Sequence, residues 1–283
     1  MQLSRRALVS YAAAGAAGAW SGAFAARRFG GLKIGVTDWN LGLSGKVEAL
    51  ELGKRLGFSG VEVSFGRKPG GDRLPLDNAE LQQRYLEAAR RLKLDIAGTC
   101  LDILHVNCLK GDPLGRKWVA DGIPVTARLN ARVMLLPFFG KCSAATGPEK
   151  DYVAGVLKEL APEARKAGVI LGLENMLSAE DNARILDQVN SSAVQVYYDV
   201  GNSTNAGFDP VREIRWLGKR RICQIHLKDK GYLGEGSIDF PAVLKAIDEI
   251  GFKGYANLET SSPSKNIEAD MKRNLTYIRK LMA

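Results

Sequence analysis

Short apolar runs alternate with longer amphipathic segments along most of the chain. The runs have strand length and are apolar on both faces, which is typical of parallel strands buried on both sides. The segments between them carry apolar residues at helical spacing. The pattern predicts eight strands, at 32–40, 60–65, 94–102, 132–139, 169–175, 194–202, 222–229 and 255–260.

A predicted helix follows each strand. The helices are expected at 44–56, 78–92, 112–130 (interrupted by Gly122 and Pro124), 150–166, 178–189, a short one from 209, 239–250, and a last one that runs to the C-terminus. Eight such units over residues 32–283 predict an α/β fold, a single (β/α)8 TIM barrel. A doubly wound sheet is the alternative, but residues 38–42 (DWNLG) after the first strand lack its glycine-rich phosphate turn.

The first 26 residues are predicted to lie outside the barrel. Arg5 and Arg6 precede a weakly apolar run rich in Ala and Gly, and residues 23–25 (AFA) form a small-x-small cleavage pattern. This combination is typical of a twin-arginine export signal and predicts a periplasmic or exported protein. No stable membrane span is expected after its removal. An ordinary amphipathic N-terminal helix is the alternative.

Composition narrows the class of protein. The 283 residues are 46% hydrophobic and 25% charged, as in ordinary globular proteins. The net charge of +9 comes from Lys and Arg scattered among acidic residues, without a basic run that would favour a nucleic-acid partner. The four cysteines form no CxxC pair, so we expect mostly buried free thiols rather than a metal or redox knuckle.

The last four predicted strands each end in a side chain that can bind a metal: Glu174, Asp199, His226 and Glu259. They lie about one strand–helix unit apart, so they are expected at one height on adjacent strands, where barrels place their chemistry. Three clustered carboxylates repel one another unless a cation joins them. Three oxygen donors and one imidazole favour one divalent ion, Mn²⁺ foremost, with Mg²⁺ and Co²⁺ as alternatives.

Five segments carry a family resemblance: LGLEN (171–175), YYDVGN (197–202), IHLKD (225–229), GEGSIDF (234–240) and NLET (257–260). Because it carries these segments, the chain resembles the xylose isomerase-like barrel superfamily. Within it, the chain is similar to the sugar phosphate isomerase/epimerase family, which includes tagatose/psicose 3-epimerases and hydroxypyruvate isomerase. The resemblance implies that the four strand-end residues hold the metal and that Glu174 and Glu259 exchange a proton through a cis-enediolate. It also implies a substrate contact at Glu180 and a homo-oligomer as a partner.

Further side chains near the same rim are predicted to contact substrate: Trp39, Glu62, His105, Asn202 and Lys228. A structural role is the alternative for His105 and Trp39, and an ion pair with Asp229 is the alternative for Lys228. Glu62 is expected in the barrel interior, hydrogen-bonded near the site, with an outward, exposed position as the alternative. Asn202 and Tyr232 stand where the similar epimerases often carry His and Arg. These two departures affect the expected substrate more than the expected metal.

The sequence therefore predicts a metal-dependent sugar isomerase or epimerase that acts on a sugar or keto-sugar. A 3-keto-glycoside lyase could use the same metal and base to expel a leaving group. A non-catalytic periplasmic sugar-binding barrel is a further alternative. A nuclease of the endonuclease IV type is disfavoured because its three-zinc cluster needs many histidines, and the chain has two.

Overall fold

Eight parallel strands pair in chain order and close into a barrel when the last joins the first. The structure, a computed structural model, describes residues 29–283. The strands are β1 (Leu32–Thr37), β2 (Gly60–Ser64), β3 (Asp95–Cys100), β4 (Val133–Pro137), β5 (Ile170–Glu174), β6 (Val194–Asp199), β7 (Ile222–Leu227) and β8 (Gly254–Leu258). The predicted (β/α)8 barrel is confirmed, whereas the predicted export signal lies outside the described residues.

Helices surround the barrel: α1 (Glu48–Leu56), α2 (Ala79–Leu92), α3 (Pro113–Arg128), α4 (Gly147–Ala167), α5 (Ala179–Val189), α6 (Val200–Asn205), α7 (Pro210–Arg221), α8 (Phe240–Glu249) and α9 (Ile267–Met282). The interruption expected in the third helix is wrong, because α3 continues through Gly122 and Pro124. A Cβ at Gly122 would lie 2.6 Å from Met134 Sδ, so the glycine lets α3 pack closely on β4. Within residues 29–283, no helix is both long and apolar enough to cross a membrane.

The apolar core has two parts. The larger part joins the outer faces of the strands to the helices and includes Val36, Leu136 and Phe240, which are essentially inaccessible to solvent. The smaller part lies among the side chains of Cys100, Val133, Leu135, Tyr197 and Cys223. The apolar character of both strand faces, visible in the sequence, reflects these two layers.

All eight strands end before their predicted bounds, and β1 and β6 do so by three residues, the most of any strand. An aspartate explains each of these two cases. Asp199 ends β6 because its carboxylate accepts the N–H of Asn202 at 2.7 Å and caps α6. β1 ends at Thr37. The buried Asp38 carboxylate that follows accepts the N–H groups of Gly45 and Ser64, both at 2.8 Å. Side-chain caps thus turn the chain into the loops that form the rim of the barrel.

The cysteines fall into two pairs with different chemistry. Cys100 and Cys223 are buried free thiols, as expected. The expectation is wrong for Cys108 and Cys142, which form a disulfide across 34 positions of sequence. The bridge joins the loops that follow β3 and β4. Its partners lie on separate loops, so no short spacing motif marks it in the sequence.

Replacing both Cys108 and Cys142 with Ser should lower the melting temperature of the protein by about 5–10 °C. Removing a cross-link across a loop of this length costs on the order of 2–4 kcal/mol, mainly by freeing the unfolded chain. Calorimetry without reductant would measure the change. Cys223→Ser, at a buried free thiol, is the matched control. Equal melting temperatures for the double variant and the oxidised parent would contradict the prediction.

Candidate metal centre

Glu174, Asp199, His226 and Glu259 come together at the carboxyl ends of the strands. Glu174 and Asp199 are the last residues of β5 and β6, His226 lies in β7, and Glu259 directly follows β8. The parallel register pairs Asp199 with His226 and so sets their side chains at one height. One ligand atom from each residue lies within 4.8 Å of all the others. The predicted convergence of the four strand ends is therefore confirmed.

The imidazole of His226 stands at the centre of the cluster. Its Nδ1 atom lies 3.0 Å from Glu174 Oε1 and 3.7 Å from both Asp199 Oδ2 and Glu259 Oε2. Asp199 Oδ2 is buried and has no hydrogen-bond partner within residues 29–283. A buried acceptor without a donor costs free energy unless something satisfies it. A cation among three carboxylate oxygens and one imidazole nitrogen would do so, and this donor set suits Mn²⁺, Mg²⁺ or Co²⁺.

Burial and crowding shift the ionisation of all four groups. Burial raises the pKa of Asp199, and the neighbouring Glu259 adds to the rise. Burial also raises the pKa of Glu174. Burial acts in the same sense on Glu259, but His226 and Lys228 outweigh it and lower its pKa to about 2. Burial opposes protonation of His226, yet Glu259 and Glu174 raise its pKa. The cluster is therefore arranged to attract positive charge.

Glu62 supports His226 from below. The second ring nitrogen of His226, Nε2, lies 3.1 Å from Glu62 Oε2, which also accepts the Tyr197 hydroxyl at 2.7 Å and the Asn257 amide at 3.2 Å. A carboxylate behind a histidine fixes the ring orientation and makes the opposite nitrogen a better metal ligand. The structure thus confirms the predicted position of Glu62 in the barrel interior, hydrogen-bonded next to the site. Glu62 is fully buried and does not line the cavity, so the geometry places it behind His226 rather than among the cavity-wall residues.

A cavity of about 680 Å³ opens above the cluster. Glu174 and Glu259 line it, whereas Asp199 and His226 lie behind them and are almost fully buried. The two glutamates thus face both the ligand cluster and the open space where a small molecule would bind. A molecule bound in the cavity would therefore face two carboxyl groups, each from a different strand end.

Four of the predicted substrate contacts lie on the cavity wall: Trp39, His105, Asn202 and Lys228. The indole N–H of Trp39 donates to Glu259 Oε1 at 3.0 Å. Lys228 Nζ donates to Glu259 Oε2 at 2.7 Å and to Asn202 Oδ1 at 3.3 Å. The alternative pairing of Lys228 with Asp229 is not formed. Asp229 instead accepts backbone N–H groups from the loop between β7 and α8.

Glu180 is not brought to the cavity. It is exposed in the first turn of α5 and lies outside the cavity lining. Tyr232, which stands where the similar epimerases often carry Arg, donates its hydroxyl to Asp270 Oδ1 at 2.7 Å. The contact that the resemblance implies for Glu180 therefore has no counterpart in the geometry of the site.

Two groups of residues near the site are not predicted from the sequence. One lies on the far wall of the cavity and includes Arg67, Asp102 and Phe139. These residues follow β2, β3 and β4, whose ends show no repeated carboxylate. The other group, Tyr197 and Asn257, lies beneath the four-residue cluster. The sequence does indicate this group, because each residue stands two positions before a member of the cluster, and side chains two residues apart lie on the same face of a strand.

The chain belongs to the xylose isomerase-like TIM barrel family, whose model matches residues 50–281. Its fold is similar to D-allulose 3-epimerase from Methylomonas sp., with a TM-score of 0.72, 16% identity and coverage of 89% of this chain and 98% of that one. It is also similar to 3-keto-D-glucoside 4-epimerase from E. coli, with a TM-score of 0.71, 16% identity and coverage of 88% and 99%.

One relative is similar in sequence over part of its length. An uncharacterized protein of Methanocaldococcus jannaschii is 29% identical over 139 residues, which is 43% of this chain and 46% of the relative. The match thus spans less than half of the relative's length. At these levels of identity the solved structures establish the shared fold, and the activity has to be argued from the site.

Asp199→Asn should weaken the binding of Mn²⁺ at least about 100-fold, more than the loss of a residue behind a ligand causes. Asparagine keeps the side-chain oxygen that caps α6, so the helix should remain and only the negative charge is lost. Titration calorimetry with Mn²⁺ would measure the affinity. Glu163→Gln, an exposed change on α4, is the charge-matched control. Equal affinities for the two variants would argue against a metal at this cluster.

Glu62→Gln should lower Mn²⁺ affinity by roughly 10- to 100-fold without removing any proposed ligand. The amide keeps the size of the side chain but loses the charge that holds the Nε2 proton of His226. The same titration measures the effect, and thermal unfolding of the metal-free variant shows whether the fold is intact. An unchanged affinity would mean that Glu62 serves only to fill the barrel interior.

Proposed function

We propose that this protein is a divalent-metal-dependent sugar isomerase or epimerase that moves a proton on a carbon next to a carbonyl group. The observation that carries this proposal is the placement of Glu174 and Glu259, which line the cavity and also belong to the four-residue cluster. Proton abstraction next to a carbonyl needs a base and an acid close to a group that stabilises the developing negative charge. This cluster offers all three functions in one place.

The two glutamates divide the proton transfer between them. Glu259, which accepts the Trp39 indole N–H and the Lys228 ammonium, acts as the carboxylate that removes the proton from carbon. The electron pair of the broken C–H bond forms a carbon–carbon double bond, and the carbonyl oxygen gains the negative charge of an enediolate. Glu174, in its protonated form, returns a proton to carbon and the carbonyl re-forms. Return to the opposite face inverts the carbon. Return to the neighbouring carbon, together with transfer of the hydroxyl proton to the former carbonyl oxygen, isomerises the sugar.

The remaining polar residues of the cavity hold these groups in place. A divalent cation at the cluster would supply Lewis-acid polarisation of the carbonyl and hydroxyl oxygens of the substrate. Lys228 keeps Glu259 ionised and presents its ammonium group to the cavity, where it can donate to a sugar oxygen. Asn202 donates to Glu174 Oε1 at 3.3 Å, and Trp39 donates to Glu259. Both glutamates are therefore oriented before substrate arrives.

A 3-keto-glycoside lyase is the second candidate. After Glu259 removes the proton from C2 of a 3-keto sugar, the electron pair can form a C1–C2 double bond and break the bond from C1 to the leaving oxygen. Glu174 would then protonate that oxygen. A cavity of about 680 Å³ favours this candidate because it has room for a leaving group. A similar fold in a 3-keto-D-glucoside 4-epimerase supports keto-glycosides as a substrate class.

We also propose that the protein works in an exported, oxidising compartment. The Cys108–Cys142 disulfide supports this location, because such bridges persist outside the cytoplasm and are rare within it. The paired arginines at positions 5 and 6 agree with it. Free glycosides rather than sugar phosphates are the substrates expected in such a compartment.

Incubation of the Mn²⁺-loaded protein in D₂O with ketoses and 3-keto-glycosides should place deuterium on the carbon next to the carbonyl. NMR would follow the exchange, and the product would distinguish an epimer from a released aglycone. At saturating Mn²⁺, Glu174→Gln and Glu259→Gln should each slow exchange at least about 100-fold, since one positioned acid or base contributes roughly 10²–10⁴-fold.

Glu163→Gln is the control for this experiment and should exchange like the parent. Binding of sugars without exchange on any substrate would favour the non-catalytic sugar-binding barrel. Exchange that survives both glutamine substitutions would show that other groups carry the proton.

A further inference from the structure

The cavity has two chemically different sides. The side formed by strand ends 5–8 carries the proposed chemistry, with Glu174, Glu259 and Lys228. The facing side comes from the loops after β2, β3 and β4. Cavities of about 300–1,000 Å³ bury drug-sized ligands, whereas one hexose has only about a dozen non-hydrogen atoms. At about 680 Å³, this cavity has space for a second ring beside the ring that reacts.

An aromatic surface forms part of the facing side. The ring of His105 stacks on that of Phe139, with centroids 6.0 Å apart and planes 23° apart. Both residues line the cavity and are partly exposed to it. Flat aromatic rings offer a large apolar surface against which a ligand ring can pack.

Hydrogen-bonding groups flank the aromatic pair. Arg67 Nε lies 3.4 Å from Asp102 Oδ2, and Asp102 Oδ1 accepts the N–H of Gly66 at 2.8 Å. The Asp102 side chain is 10% exposed and that of Arg67 is 56% exposed. A guanidinium has five N–H donors, so Arg67 retains donors that a ligand hydroxyl can accept. An aromatic plane beside fixed polar groups is suited to a saccharide ring, which has apolar faces and a polar edge.

The disulfide fixes this wall. His105 and Cys108 are on the loop after β3, and Phe139 and Cys142 are on the loop after β4. The bridge therefore joins the two loops that supply the two stacked rings. Holding a binding surface in its bound arrangement reduces the entropy lost when a ligand is bound.

We propose that the wall formed by Arg67, Asp102, His105 and Phe139 is a second subsite that binds the ring attached to the reacting sugar. The preferred substrate is then a disaccharide or a similar two-ring glycoside. This inference rests on the proposed function, because it assumes that the reacting sugar lies at the four-residue cluster.

Titration calorimetry of the Mn²⁺-loaded full chain can test the second subsite without turnover. Methyl β-D-glucoside is compared with cellobiose, and methyl α-D-glucoside with maltose. None of these probes carries the ketone that proton transfer needs. At least one disaccharide should bind about tenfold more tightly than its methyl glycoside. Phe139→Ala should remove most of that advantage, and Trp216→Ala, at an exposed aromatic residue on α7, should preserve it.

The outcomes separate the second subsite from the proposed function. Equal affinities of disaccharides and methyl glycosides for the parent protein would overturn the subsite and leave the proposed function standing. An advantage that survives Phe139→Ala would also overturn the subsite. Failure of all four sugars to bind, with Mn²⁺ still bound, would overturn the subsite, and deuterium exchange with ketoses and 3-keto-glycosides would decide the proposed function separately. The Cys108→Ser/Cys142→Ser double variant, if folded, should lose part of the disaccharide advantage because its wall is no longer fixed.

Discussion

The burial of three carboxylates around one imidazole is the constraint on which the rest of this structure depends. Glu174, Asp199 and Glu259 all face Nδ1 of His226 where little water can screen them. Like charges at this distance cannot all stay ionised unless positive charge compensates them. Lys228 supplies one positive charge from the cavity side. A divalent cation would supply further positive charge, so the ionised carboxylates are compensated while His226 stays neutral, as a metal ligand must be.

The floor beneath the cluster shows how the barrel interior sustains this arrangement. Asn257 donates to the Tyr197 hydroxyl at 2.8 Å and lies within 3.2 Å of both Glu62 and Gln224. A side chain at Gly35 would not fit, because its Cβ would lie 2.0 Å from Asn257 Oδ1. These buried polar groups satisfy one another in part, since Glu62 Oε1 and Asn257 Oδ1 have no hydrogen-bond partner within residues 29–283. The network therefore closes the site from below and orients His226 through Glu62.

The barrel and the four-residue cluster could both be predicted from the sequence because each depends on a repeated pattern. The barrel repeats a strand and a helix along the chain, and the cluster repeats one polar side chain at successive strand ends. The far wall of the cavity has no such repetition. Arg67, Phe139 and the Cys108–Cys142 bridge lie on loops of different length, and their proximity follows from tertiary packing alone. Glu180 shows how a motif match can mislead. The resemblance implies a substrate contact at this position, but the residue lies in a helix turn that faces solvent.

The two sides of the cavity also differ in the part of the fold that holds their side chains in place. The four-residue cluster stands on barrel strands, and its geometry follows from their register. The wall opposite stands on loops, and a covalent bridge between Cys108 and Cys142 replaces the missing strand pairing. Such bridges persist in oxidising compartments and are rare in the cytoplasm. Reduction of the bridge would therefore loosen the wall formed by His105 and Phe139 and leave the four-residue cluster in place.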